Sequence, residues 1–276
     1  MPAPVVSAPA SQAPPAASST QASAPSAAPS TGNNGACARP AAKTLSTKRG
    51  VSYNTASLLA PFGSSISWAY NWGSNPSGSM PSNVVYEPML WTSQDQSRVN
   101  TWNADATAAI AAGAQHLLGF NEPDLSTQSN IDPATAAAGW KKDMEPLACK
   151  ARLVSPAVTN GGAPSGLTWL SSFLSACSGC TIDAVAIHWY DSATNIAYFK
   201  QHVSDAYTAG GNRPIWITEF GASGTDDQVS AFFAAVLPWL DAQPYVERYA
   251  YFMANDGILL SSATTLSAIG KAYIAN

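Results

Sequence analysis

Two short stretches carry side chains able to do acid–base chemistry: His116-Leu-Leu-Gly-Phe-Asn-Glu-Pro-Asp124, which contains Glu122, and Pro214-Ile-Trp-Ile-Thr-Glu-Phe-Gly221, which contains Glu219. Two carboxyl groups across one gap suit the hydrolysis of a glycosidic bond. One protonates the departing oxygen, and the other attacks or stabilises the cationic carbon. In the retaining form of that chemistry the two groups stand roughly 5 to 5.5 Å apart. At that distance the ionised partner holds the other's proton, because two like charges in a low-dielectric pocket resist joint ionisation.

Other chemistries find less support. His116, His188 and His202 fall at a strand start, a strand end and a helix, a scatter that predicts no metal cluster. No glycine-rich phosphate loop follows a strand, and no serine sits in a Gly-x-Ser-x-Gly elbow. The pair Cys177-Ser-Gly-Cys180 precedes a strand on the face opposite the glutamates, so a structural bridge is expected there rather than redox work. Cys37, Cys149, Cys177 and Cys180 allow three pairings, and the even set fits an oxidising compartment. No cofactor is expected.

The elements that must position the glutamates follow from pattern. Short runs rich in β-branched and aromatic residues occur at Arg49 to Asn54, Ile66 to Trp72, Val84 to Trp91, His116 to Phe120, Arg152 to Val158, Ala184 to Tyr190, Pro214 to Phe220 and Arg248 to Ala254. Helical stretches alternate with them, such as Asp132-Pro133 to Cys149, Asn195 to Ala209, and Gln228 to Ala242 after Asp226-Asp227. Thr55 to Ser65 has room for little more than one or two turns. Eight such units predict a (β/α)8 TIM barrel, whose chemistry sits where strands end. Glu122 and Glu219 satisfy that rule, at the ends of the fourth and seventh strands. Glu145 lies in a helix, Glu247 precedes the eighth strand, and Glu87 falls inside the third, where a structural hydrogen bond is the default. Alternation places Ile215, Ile217 and Glu219 on one side of their strand, and Ala184, Ala186, His188 and Tyr190 on one side of theirs. His188 and Tyr190 are therefore candidates to orient Glu219 or bind a sugar hydroxyl, and Asn121 to donate to one.

Length and composition set the frame. The chain has 276 residues, 46% of them hydrophobic, enough for one barrel of about 250 residues. A net charge of −4 with 11% charged residues leaves no basic face for nucleic acid. No run of about 20 apolar residues predicts a membrane span. Residues 1–47 are expected to be a low-complexity tail of Ala, Ser, Pro and Thr, and residues 48–276 the barrel. The N-terminus shows no basic-then-apolar leader pattern, so secretion implies a chain whose leader has been removed. A monomer is expected.

Gly119-Phe-Asn-Glu-Pro-Asp124, Ile217-Thr-Glu-Phe-Gly221, Trp68-Ala-Tyr-Asn-Trp72 and His188-Trp-Tyr190, in their order along the chain, resemble glycoside hydrolase family 128. The likeness runs from about Arg49 to Ala254. It implies a barrel acting on β-1,3-glucan, with Glu122 as acid/base and Glu219 as nucleophile. It also implies that Trp68, Asn71, Trp72 and Trp91 line a glucan cleft. Many members of the wider clan place an arginine beside the nucleophile from an early strand's end, whereas Arg49 opens the first strand on the other face.

The reading is a secreted or cell-wall endo-β-1,3-glucanase that retains anomeric configuration. Its rivals are another retaining β-glycanase of the same clan, acting on cellulose or mannan, and a wall protein that binds β-glucan without cutting it.

Overall fold

In the computed structural model, which describes residues 44–275, the β-branched and aromatic runs become parallel strands. They are β1 (Arg49–Tyr53), β2 (Trp68–Tyr70), β3 (Val85–Tyr86), β4 (His116–Leu118), β5 (Arg152–Val154), β6 (Val185–Ser192), β7 (Ile215–Ser223) and β8 (Val246–Ala254). Six form one sheet in the order β3-β2-β1-β8-β7-β6, and β4 pairs with β5. Parallel bridges Met89–Leu118 and Val154–Ala184 join the two pieces at both edges. The ring therefore closes into a (β/α)8 barrel, and closure removes the sheet edges. A small antiparallel hairpin, β9 (Leu260–Ser262) with β10 (Thr265–Leu266), follows the last strand. The tail expected over residues 1–47 lies almost wholly outside the described residues.

The connections carry α1 (Gln96–Ala112), α2 (Pro133–Gly139), α3 (Gly166–Ala176), α4 (Ile196–Ala209), α5 (Asp226–Ala242) and α6 (Ala268–Ala275). Local chemistry sets their ends. Asp132 accepts from the Ala134 and Thr135 N–H groups ahead of Pro133, and Thr225 forms a reciprocal capping box with Gln228. The helix expected to run on to Cys149 breaks after Gly139 into a wide turn, Trp140–Met144, and a tight one, Glu145–Leu147. Pro146 has no N–H to continue the ladder. The first connection is as short as its length implies: 3-10 turns over Ala56–Ser65, kinked at Gly63.

Apolar side chains fill two shells. The inner one, inside the ring, contains Trp68, Tyr70, Leu118, Val154, Ala186 and Trp216; the outer one packs strands against helices. Ile215 and Ile217 belong to the outer shell, so the expectation that they share a face with Glu219 is corrected. Trp216 faces inward. Between Ile217 and Glu219 the register of β7 shifts against β6, pairing Ile187 with Ile217 but His188 with Glu219. The extra residue, Thr218, reverses the alternation and turns Glu219 into the barrel. On β6 the expected face holds: Ala184 and Ala186 are inner residues, and His188 follows at the same side.

The three remaining glutamates hold structure. Glu87 Oε2 accepts the backbone N–H groups of Gln115 and His116, tying β3's extension to β4. Glu145 accepts from the N–H and hydroxyl of Thr181. Glu247 is the second residue of β8 rather than a residue before it, and accepts from the Trp216 indole at 3.1 Å. Cys177 and Cys180 form a disulfide just beyond α3, and Cys149 is disulfide-bonded as well; Cys37 lies outside the described residues.

Candidate active site

Glu122 leaves β4 on a backbone pinned from both sides. The Asn121 N–H bonds to the Trp91 carbonyl at 2.9 Å, and the Glu122 N–H to the Ala157 carbonyl at 2.8 Å. Glu122 itself has φ 40°, a left-handed conformation uncommon outside glycine. Every residue of its motif has a task. A Cβ on Gly119 would meet the Pro156 nitrogen and the Trp140 ring at 2.8 Å. Asp124 takes the Thr159 hydroxyl at 2.6 Å and the Gly166 N–H at 2.8 Å, clamping the following loop beneath the glutamate.

Glu219, turned inward by the bulge, is met by neutral donors. The Trp72 indole donates to Oε1 at 2.7 Å, and the Tyr70 hydroxyl lies 3.2 Å from the same oxygen. The Tyr190 hydroxyl donates to Oε2. Gly221 makes room for that contact, because a Cβ there would sit 2.8 Å from the Tyr190 ring. Arg49 is engaged elsewhere, with Nε 3.3 Å from the Tyr249 hydroxyl and its guanidinium over the Tyr273 ring.

His188 links the two carboxyl groups. Its Nδ1 is 2.8 Å from Glu122 Oε1, and its Nε2 is 2.9 Å from the Thr218 hydroxyl and 3.6 Å from Glu219 Oε1. One atom from each of Glu122, His188 and Glu219 lies within 4.8 Å of the others. Such a trio has the composition of a metal site, but both ring nitrogens of His188 already face hydrogen-bond partners. The arrangement is two carboxyl groups with a histidine shared between them.

Burial pushes the Glu122 carboxyl up; the hydrogen bond and charge of His188 oppose this, and the nearby charges of Glu219 and Asp124 add to it, leaving the group raised. For His188, burial works against the charged form, yet Glu219 and Glu122 outweigh it and hold the imidazole's proton more tightly than usual. Burial and the Glu219 charge push Tyr70 and Tyr190 well above the ordinary phenol range, so both remain donors.

A family model described as glycosyl hydrolase catalytic core matches residues 50–273. Among solved structures, a family 128 (subgroup III) curdlan-specific exo-β-1,3-glucanase from Blastomyces gilchristii is 44% identical, with a TM-score of 0.78 over 83% of this chain and 98% of that one. The chain belongs to glycoside hydrolase family 128. Two further members are similar over 83% of the chain: subgroup II and subgroup I endo-β-1,3-glucanases from Sorangium cellulosum (29% identical, TM-score 0.71, 98% of that chain) and Amycolatopsis mediterranei (30%, 0.69, 99% of that chain). Alkali-sensitive linkage protein 1 of Schizosaccharomyces pombe is 35% identical over 229 residues, 76% of this chain. The chain spans about 40% of that curated relative's length.

The family 128 motifs thus place some expected residues at the carboxyl pair and not others. His188, Tyr190 and Trp72 touch it. Asn121 is buried beside Glu122, its Nδ2 reaching Gln128 at 3.4 Å and its Oδ1 without a partner. Trp91 is half-buried, with the Arg98 guanidinium 5.2 Å from its ring centre. Trp68 does not line the site: it is fully buried inside the ring, its indole bonded to the Lys48 carbonyl. Asn71 serves the loop that carries Trp72, accepting from the Gly73 N–H and the Tyr86 hydroxyl and donating to the Asn75 carbonyl. Tyr70, Thr218 and Phe252 enter unannounced. Tyr70 was legible in principle, as the residue that shares the inner strand face of Trp68 within the same motif. Phe252 packs edge-on against both Trp72 and Tyr190, at 5.7 and 5.8 Å.

Proposed function

We propose that the protein hydrolyses β-1,3-glucan with retention of anomeric configuration, Glu219 acting as nucleophile and Glu122 as acid/base. The observation that carries this reading is the approach of Glu122, His188 and Glu219 to within 4.8 Å of one another. A closest approach of that size is in line with the roughly 5 to 5.5 Å between the carboxyl groups of retaining pairs, against about 6.5 to 9.5 Å in inverting ones. The relatives add support: the Amycolatopsis mediterranei enzyme was crystallised with laminarihexaose and with laminaritriose and laminaribiose, in glutamate-substituted variants whose two positions have the same sequence separation as Glu122 and Glu219.

In this mechanism the raised Glu122 keeps its proton until the glycosidic oxygen departs, while Glu219, held by neutral donors, attacks the anomeric carbon. Glu122 then takes a proton from the water that releases the sugar. Half-buried Trp72, Trp91 and Phe252 offer apolar ring faces to the sugar. No cofactor is required, and chelators leave the rate unchanged.

Endo action remains the first reading, in line with the Sorangium cellulosum and Amycolatopsis mediterranei relatives. Exo action is the second, favoured by the 44% identity to the Blastomyces gilchristii enzyme. Product profiles from laminarin and from reducing-end-labelled laminarihexaose separate them: endo cleavage gives a spread of oligomers, exo cleavage gives one small product from the start. A secreted, wall-associated monomer is part of the proposal; the fission-yeast relative carries the name alkali-sensitive linkage protein 1. Among the described residues, no helix is long and apolar enough to cross a membrane.

The test is sugar release from linear β-1,3-glucan, cellulose and mannan by the wild type, Glu122→Gln and Glu219→Gln, with the first anomer followed by NMR. β-1,3-Glucan is cut with a β product, and each variant loses about 10²- to 10⁴-fold in kcat. Tight laminarin binding without release would establish the non-cutting wall protein instead.

A further inference from the structure

The two oxygens of Glu219 are held unequally. Oε1 takes the Trp72 indole N–H at 2.7 Å, with the Tyr70 hydroxyl at 3.2 Å and His188 Nε2 at 3.6 Å on its other sides. Oε2 has one donor, Tyr190. A carboxylate oxygen offers two lone-pair sites, and attack on a carbon needs one of them aimed at that carbon. Oε1 faces a donor at both of its sites, the Tyr70 proton being shared with the Thr218 carbonyl; Oε2 has one site open.

The donors on Oε1 are themselves held by neighbours. Tyr70 is fully buried, and its hydroxyl is shared with the Thr218 carbonyl at 3.1 Å. Trp72 sits at φ 58°, a left-handed conformation costly for a bulky residue, in the loop locked by Asn71. Tyr190, on β6, is half-buried as Trp72 is.

The geometry points to Oε2 as the attacking atom, with Tyr70 and Trp72 as positioning residues that keep Oε1 as the carbonyl oxygen of the covalent intermediate. This rests on the retaining reading above. In the first half-reaction an Oε2 lone pair forms the bond to the anomeric carbon. The glycosidic C–O bond breaks, its electron pair stays on the departing oxygen, and that oxygen takes the Glu122 proton. In the second, water adds to the same carbon and gives a proton to Glu122. The C–Oε2 electron pair then returns to Glu219.

Negative charge thus leaves the carboxylate in the first step and comes back in the second. Donors fixed on Oε1 favour the free carboxylate over the ester, so their benefit falls on the second step, where the carboxylate is the leaving group. Loss of either donor slows breakdown of the intermediate more than its formation.

Two measurements test this. With 2,4-dinitrophenyl β-laminaribioside, Tyr70→Phe and Trp72→Phe should each lower kcat about tenfold, the scale of one hydrogen bond to a charged group. KM should fall in parallel, kcat/KM should hold, and a burst of dinitrophenolate should precede the steady rate. A raised KM with lower kcat/KM and no burst, in both variants, is the signature of a structural role only and overturns the assignment. In a crystal of the wild type treated with 2,4-dinitrophenyl 2-deoxy-2-fluoro-β-laminaribioside, the sugar should be bonded to the oxygen nearer Tyr190, with the other still within reach of Trp72. A bond to the oxygen held by Trp72 overturns the assignment while leaving Glu219 the nucleophile. An adduct on another residue overturns the retaining reading itself.

Discussion

At the scale of single residues, the site separates two carboxyl groups by environment rather than by type. Glu122 is desolvated and shares a proton axis with His188; Glu219 is held by neutral N–H and O–H donors. In the proposed mechanism the first step needs Glu122 protonated, so kcat/KM should fall as pH rises through its raised pKa. His188 opposes that rise. His188→Leu should therefore move the basic limb of the kcat/KM profile to higher pH, while the rate at the optimum falls about tenfold or more for the lost charged hydrogen bond. A basic limb that shifts to lower pH would contradict the arrangement.

At the scale of elements, the bulge in β7 decides which way the strand's last functional side chain points. Strict alternation puts Glu219 with Ile217 on the outer face; the extra residue at Thr218 puts it inside. No feature of Ile-Trp-Ile-Thr-Glu announces the bulge, because the constraint comes from β6 and β8, whose registers with β7 both slip there. The Trp68-Ala-Tyr-Asn-Trp72 segment shows a related blind spot. Alternation gives Trp68 and Tyr70 a shared inner face, but β2 ends at Tyr70 and Trp72 reaches Glu219 from a loop at φ 58°, while Trp68, at the strand's first position, is fully buried. By the same logic Gly221 is spacing for a neighbouring strand. Gly221→Ala should push the Tyr190 ring off Glu219 and cut kcat at least tenfold with little change in melting temperature, which steady-state kinetics beside calorimetry will show. On α5, Thr225→Ala removes the cap and should cost about 1 kcal/mol of stability, read from denaturant unfolding, without touching kcat.

At the scale of the whole molecule, the eight strands in chain order were legible, because hydrophobic period is a local property of the chain; Glu122 and Glu219 stood out as candidates among five glutamates, although Glu219 lies inside β7, four residues before its end at Ser223, rather than at the strand's end. Ring closure was inferable only from the strand count; the bridges that complete it depend on Met89 and Ala184, outside the strands proper. The far end of the barrel shows what the remaining ionisable groups do. His116 lies between Glu87 and Glu247, at 3.4 Å from each, with Arg248 3.7 Å from Glu87. Burial raises the Glu247 carboxyl, but His116, the Trp216 N–H and Arg248 outweigh it and hold the group down to about 2, against 4.5 for an ordinary glutamate. Its contribution to stability is therefore present above pH 4.5 and lost as pH falls towards 2. Burial lowers His116, while hydrogen bonds and charge from Glu247 and Glu87 raise it overall, so its contribution is present below 6.5 and fades as pH rises beyond. Glu247→Gln should depress the melting temperature most between these limits and converge with the wild type near pH 2, as scanning calorimetry across that range will test.

The inner shell of Trp68, Tyr70 and Trp216 has one last effect: it stops up the axis of the ring. With the axis filled among the described residues, the proposed mechanism has incoming polymer, outgoing fragment and water share the approach on the side of the carboxyl pair away from that shell. On the proposed covalent mechanism, water would then enter through the space the departing fragment vacates, where a second sugar would compete with it for the same carbon.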